Sequence, residues 1–215
     1  MAIEISISAS RSWDKEYLLE LGENRPELLL FYGHKVTKTV TETCLSQWYP
    51  CKFEAEGVSY TSAEQYMMAE KAKLFGDEEI RAEILSTSDP RKCKALGRKV
   101  KNFDKVVWDK EKKNIVHKGN TRKFLQNSAL RNFLLSTGDR VLAEASPTDR
   151  IWGIGLGKNN PDALEPEKWR GQNLLGFTLM RVRDFIAFMD MFGEFDGDED
   201  GEMCIRDRFL IWQKT

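Results

Sequence analysis

The chain has 215 residues, 41% of them hydrophobic and 11% aromatic, enough for one domain with a sizeable core plus tails. Six Trp and twelve Phe argue against a disordered main body. A net charge of -1 excludes the global basic field of a protein that coats nucleic acid, and leaves room only for a local basic patch.

Residues 1–26 carry little signal beyond a short helix over 13–21 that ends at Gly22, and read as an N-terminal extension. Residues 27–33, Glu-Leu-Leu-Leu-Phe-Tyr-Gly, read as a buried strand between Pro26 and Gly33. A threonine-rich stretch over 35–43 follows as a loop or edge strand. Residues 52–60 alternate around Glu56-Gly57 and predict a hairpin that delivers the chain into the next helix.

That helix covers 61–76. Thr61 with Glu64, or Ser62 with Gln65, has capping-box spacing, and Gly76 sits where a left-handed cap belongs. Glu64, Met68, Lys71 and Phe75 fall at i, i+4, i+7 and i+11, on one stripe. A carboxylate and an amine therefore share the face that should be apolar, roughly 10 Å of rise apart. Burial would push both groups toward neutrality, as a site requires. The plain alternative makes Glu64 the return arm of a Thr61 capping box and lets Lys71 run its ammonium out to water.

Asp77 caps a helix to about residue 85, and Asp89-Pro90 opens another that ends at Gly97. A long amphipathic helix is expected over 104–126, interrupted or bent at Gly119-Asn120, with His117 at its surface or half-buried. Ser128 caps a further helix closed by Gly138, and 140–145 reads as a short strand. Residues 146–173 form the longest irregular stretch, a length that is usually functional inside a domain. A final helix runs over 174–192.

Within the irregular stretch, Trp152-Gly-Ile-Gly-Leu-Gly157 is neither a dinucleotide fingerprint nor a P-loop. Its glycines can let backbone amides approach a ligand, with Lys158 balancing a phosphate, or can merely permit sharp backbone angles. Trp152 either stacks on a base or ribose or anchors the core. Asp149 either holds a sugar hydroxyl or serves as acid or base, or it closes an Asx turn after Pro147.

Cys44, Cys51, Cys93 and Cys204 include no CxxC pair, and His34 and His117 are the only histidines, so a zinc site is not expected. Reduced thiols in a cytoplasmic or nuclear protein fit better. The N-terminus shows no secretory pattern, and no window approaches the roughly 18 apolar residues of a membrane span. Composition changes near 190, where an acidic tail begins. There Asp196, Asp198 and Asp200, followed by Gly201, match early positions of an EF-hand loop, with Asp207 in place of the usual final glutamate. A weak calcium site and an acidic disordered tail are the two readings.

Several short motifs recur in a fixed order: Leu-Ser-Gln-Trp-Tyr-Pro-Cys-Lys-Phe (45–53), Ser-Ala-Glu-Gln-Tyr (62–66) with Lys71, and Leu-Gly-Arg (96–98) with Trp108. The series continues with Lys-Phe-Leu-Gln-Asn (123–127), Leu-Leu-Ser-Thr-Gly (134–138), Glu-Ala-Ser-Pro-Thr-Asp-Arg-Ile-Trp-Gly-Ile-Gly (144–155) and Gly-Gln-Asn-Leu-Leu-Gly (171–176). Together they resemble the NADAR family, the YbiA-like N-glycosidases. The resemblance implies a single α+β domain over 27–189, predominantly helical, with short strands near the N-terminus. It further implies hydrolysis of a ribose C1–N bond without a required cofactor. The substrate would be a small ribose phosphate of early riboflavin metabolism or an ADP-ribose conjugate, including ADP-ribosylated guanine in nucleic acid. Ser-Gln-Trp-Tyr-Pro replaces the Ser-Asn-Phe-Tyr-Pro of many relatives, and Met68 and Glu70 stand where the riboflavin-type helix often has glutamines. These changes bear on the substrate rather than on the chemistry, and the Met67-Met68 pair leans toward ADP-ribose.

The resemblance places Glu64, Lys71, Asp149 and Trp152 at the site, the first three as catalytic groups. Substrate contacts are expected from Trp48, Tyr49, Tyr66, Arg98, Asn120, Arg150, Gly153, Gly155 and Asn173 as well as Trp152. A carboxylate beside the sugar and an acid near the base suit cleavage that leaves positive charge on the ribose. A lysine of lowered pKa can instead attack the opened sugar. A non-catalytic module that binds ADP-ribose or NAD in the same pocket is the rival from another class.

Overall fold

The computed structural model describes residues 13–191. Helix α1 (Lys15–Glu20) leads through a 3-10 turn into strand β1 (Leu28–Phe31), and a second 3-10 turn (Glu42–Leu45) precedes a hairpin, β2 (Phe53–Ala55) and β3 (Val58–Tyr60). Four helices follow: α2 (Ala63–Leu74), α3 (Glu78–Leu85), α4 (Pro90–Gly97) and the 21-residue α5 (Lys105–Leu125). Then come α6 (Ser128–Ser136), β4 (Val141–Glu144), two further 3-10 turns (Pro161–Leu164 and Pro166–Lys168) and α7 (Leu174–Met191). The result is an α+β, predominantly helical fold.

Local chemistry accounts for most of these boundaries. Glu56 and Gly57 both have positive φ, 51° and 72°, which is the backbone a tight two-residue hairpin turn of this hand requires. Asp77, Asp89 and Asp104 each accept backbone N–H groups at the start of α3, α4 and α5, and Pro90 opens α4 where its missing N–H costs nothing. At α2 the cap is Ser62, whose hydroxyl accepts from the Gln65 amide. The Gln65 side chain reaches back to the amide and hydroxyl of Thr61. Its amide nitrogen also donates to Ile84 and Thr87 carbonyls, so one residue ties α2 to the end of α3.

The strands near the N-terminus are joined by a partner from far along the chain. β4 pairs with β1 in parallel, Leu28 opposite Val141 through Phe31 opposite Glu144. Helix α7 lies against β4, and a Cβ at Gly176 would come within 2.0 Å of the Leu142 carbonyl oxygen. Glycine there permits the close approach. Helix α5 packs against α2, α6 and α7.

Two expectations are corrected. α5 is continuous through Gly119-Asn120, where no interruption occurs. Glycine is needed at 119 because the Tyr66 ring lies where a side chain would be, with a Cβ only 2.4 Å from Cδ1. His117 is buried, its ring against Phe185, and burial pulls its pKa down to about 4. The described part of the N-terminal extension packs on the domain: Trp13 is 2% exposed and its indole N–H donates to Asp184 at 2.7 Å.

Candidate active site

The parallel strands β1 and β4 both run toward one cleft of about 850 Å³, a place where open α/β arrangements collect ligands. Tyr32 and His34 follow β1, Glu144 ends β4, and Ser46, Gln47 and Trp48 form one rim. Glu64, Met67, Met68 and Lys71 come from α2, Lys94 and Gly97 from α4 with Arg98 just beyond it, and Asp149, Arg150 and Trp152 from the long loop. Trp108 of α5 closes the side.

Because Gln65 performs the capping, Glu64 is released from that duty, and the capping-box account of it falls. Glu64 is 3% exposed and its backbone amide donates to the Gln47 carbonyl at 2.9 Å. Burial raises its carboxyl pKa to about 7. Lys94, a hydrogen bond from Trp48 and Arg98 pull the other way, while Asp149 adds to the rise. Glu64 Oε1 has no hydrogen-bond partner among the described residues.

Lys71, two turns along, is half-buried, and its Nζ donates to the Gly97 carbonyl at 2.7 Å. It also lies 4.2 Å from the Phe103 ring centroid and 5.5 Å from that of Trp108. Burial lowers its pKa, and no carboxylate is paired with it among the described ion pairs. Lys73 is on another face and pairs with Glu56 at 2.6 Å, which raises its pKa. The α2 stripe is thus assembled as its spacing predicts.

Asp149 closes an Asx-type turn and also lines the cleft. Its Oδ1 accepts the amides of Ile151 and Trp152 at 2.9 and 2.8 Å, an Asx-type turn that holds Trp152 in place. Its Oδ2 lies 3.9 Å from Lys94 Nζ on the cleft side. Trp48 is half-buried, with the His34 ring at 5.5 Å and Lys94 Nζ 5.9 Å from its centroid.

The glycine-rich loop is a scaffold rather than an anion cradle. The amides of Ile154 and Gly155 donate to Glu144 and Asp149 carbonyls at 2.9 and 3.2 Å, and so are not free for a ligand. A Cβ at Gly153 would come within 2.8 Å of the Glu144 carbonyl oxygen, and Gly155 has φ of 70°. Neither glycine lines the cleft. Lys158 pairs with Glu42 at 2.9 Å, also outside the lining.

Of the other expected substrate contacts, Arg98, Arg150, Trp48 and Trp152 face the cleft, whereas Tyr49, Tyr66, Asn120 and Asn173 do not. Tyr66 packs with Tyr60 and Phe53 at 5.1 and 6.0 Å, and Tyr49 is buried near Lys123. Asn120 donates to Gln47 Oε1 at 2.8 Å and so props the rim from behind. Fully buried Lys123 does the same for the preceding turn, donating to the Cys44 and Ser46 carbonyls at 2.7 and 2.8 Å. Asn173 accepts from the Glu144 amide at 3.0 Å and donates to the Leu142 carbonyl at 2.9 Å.

Sequence reasoning missed Gln47, Lys94 and Glu144. Glu144 and Gln47 lie inside motifs singled out above, but nothing local distinguishes a cleft-facing carboxylate from a strand-end residue. Lys94 reads as a solvated helix residue. The acidic residues Asp196, Asp198, Asp200 and Asp207 lie outside the described residues. Among the described residues no group of three His, Cys, Asp or Glu side chains is arranged to hold a metal ion. No described helix is long and apolar enough to cross a membrane.

An N-glycosidase of Acanthamoeba polyphaga mimivirus is 48% identical over 144 residues, 65% of this chain and 85% of the relative. A riboflavin biosynthesis protein of Vibrio vulnificus is 31% identical over 65% of this chain, which covers only 34% of that longer protein. Among solved structures, the NMR structure of YbiA of E. coli superposes with a TM-score of 0.63 at 24% identity, over 81% of this chain and 93% of YbiA, a likeness of fold. The family model for the NADAR domain matches residues 30–187, from β1 into α7 and around the whole cleft, and the chain belongs to the NADAR family.

Proposed function

We propose that the chain is an N-glycosidase that hydrolyses the ribose C1–N bond of an ADP-ribose conjugate, with ADP-ribosylated guanine as the substrate. The observation that carries this reading is the placement of Glu64 and Lys71 on one wall of one cleft. Burial there raises the acid's pKa to about 7, so that both of its forms are populated near neutral pH, and lowers that of the amine. Breaking a C1–N bond leaves positive charge on the sugar, which a buried carboxylate stabilises. A neutral lysine adds to C1 of the opened ribose, forms an imine and is released by water. Lys71 is the nucleophile and Glu64 stabilises the cationic sugar or handles protons.

The larger of the two substrate classes suits the cleft. Trp48, Trp108 and Trp152 offer flat apolar faces for bases, and Arg98, Arg150 and Lys94 offer cations for a diphosphate. The Vibrio relative's name favours the second class, early riboflavin intermediates. No cofactor is called for, and calcium remains a proposal for the tail alone.

The test is turnover of an ADP-ribosylated guanine oligonucleotide beside a riboflavin-pathway ribose phosphate, with borohydride present to trap an imine. An adduct that maps to Lys71, is lost in Lys71→Ala and persists in Lys73→Ala is the expected result. Full activity of Lys71→Ala would remove the lysine from the chemistry. Binding of free ADP-ribose with no turnover of either substrate would leave a non-catalytic reader.

A further inference from the structure

We infer that Glu144 is the proton donor to the departing base, an assignment that rests on the N-glycosidase reading and divides the acid–base work between two carboxyl groups. Glu144 is the last residue of β4 and lines the cleft across from α2. Its Oε2 is sealed from solvent and has no hydrogen-bond partner among the described residues. A carboxyl group in that position is costly as an anion and comfortable as an acid.

The backbone around Glu144 is held from several directions. Its amide donates to Asn173 Oδ1, and its carbonyl accepts from the amides of Ile154 and Ser146 at 2.9 and 2.8 Å. Asn173 itself sits at φ of 51°, a conformation that non-glycine residues seldom adopt, while its amide donates to the Gly153 carbonyl at 3.1 Å. The absent side chain at Gly153 lets the loop approach the Glu144 carbonyl. Loop, strand and α7 therefore converge on one carboxyl-bearing residue, which is more restraint than a strand end needs.

Three charged groups face Glu144: Asp149 from the long loop, Lys94 from α4 and Glu64 from α2. Burial and the two carboxylates raise its pKa to about 8, and only Lys94 opposes them. A hydrogen bond from Trp48 and the attraction of Arg98 favour the anion of Glu64, so it is the more readily ionised of the two and takes the sugar side. As C1–N breaks, the bonding pair leaves with nitrogen, the Glu144 proton moves to that nitrogen, and the neutral base departs. The carboxylate then takes a proton from the water that completes hydrolysis, which restores the acid.

A pair of substrates that differ only in the leaving group tests the assignment in the full chain. One carries guanine; the other carries its N7-methylated cation, which departs neutral without being protonated. Glu144→Gln keeps size and neutrality but has no acidic proton. Its kcat should fall by about 10²- to 10⁴-fold on the guanine conjugate, the usual worth of a general acid, and less than tenfold on the methylated one. The wild-type rate on the guanine conjugate should also decline above pH 8, and that limb should be missing with the methylated substrate. Equal loss on both substrates, or full activity on guanine, would overturn the assignment while leaving the N-glycosidase reading in place. Wild-type turnover of neither would overturn both.

Discussion

Replacing Glu64 by glutamine should flatten the pH dependence of folding while it abolishes turnover. In the folded protein burial raises this carboxyl from 4.5 to about 7, and its 3% exposure leaves little solvent to screen it. A rise of about 2.5 pH units, at about 1.4 kcal/mol each, is roughly 3.5 kcal/mol in full. Below pH 4.5 the folded and unfolded chains both keep the proton, and the group makes no difference between them. Between 4.5 and about 7 the unfolded chain loses its proton while the folded chain retains it, so stability falls as pH rises; above that range the whole cost is present. Glutamine never ionises. Its amide brings a pH-independent cost of about 1–3 kcal/mol if it finds no partner beside the sealed Oε1 position. The informative quantity is therefore the change with pH in the stability difference between wild type and variant. Urea unfolding at pH 4.5, 6 and 8 should show that difference moving by about 3 kcal/mol in favour of the variant, roughly half of it between pH 4.5 and 6 and the rest by pH 8. Parallel stability curves over this range would mean that Glu64 is ionised in the folded protein at pH 6, and the argument from burial would fail.

Gly119→Ala should destabilise the protein by about 1–3 kcal/mol although alanine is the better helix former, because the new methyl meets a Tyr66 ring that Phe53 and Tyr60 hold in place; a raised melting temperature would refute this. Trp152→Ala should weaken substrate binding by about 1–3 kcal/mol through lost stacking, and unchanged affinity would make the indole a packing residue. Asp149→Asn keeps the acceptor for the Ile151 and Trp152 amides but removes the charge beside Lys94, so kcat should fall with KM and melting temperature little changed. A variant that loses stability and affinity instead would show that the turn is all Asp149 provides.

Much of this fold depends on interactions a few residues long, and those are written in the sequence. Ser62 with Gln65, Asp89 with Pro90, and the Glu56-Gly57 turn lie where caps and turns were expected, because donor, acceptor and backbone angle all belong to neighbouring residues. The α2 stripe was equally legible: helical period alone puts Glu64 and Lys71 on one side. What lay opposite that side was not. Whether Thr61–Glu64 or Ser62–Gln65 made the cap, and so whether Glu64 was free, depended on Ile84 and Thr87 holding the Gln65 amide. Gly119 looked like a break until the Tyr66 ring occupied its missing side chain, and the glycine-rich loop looked like a phosphate cradle until Glu144 and Asp149 took the amides of Ile154 and Gly155. Glu144 became a candidate acid only when β4 paired with β1 and the long loop closed over it. Local hydrogen bonds are encoded by residue spacing. Burial, and with it the protonation state of every group in the cleft, is set by which distant segments exclude water, and only the tertiary structure decides that.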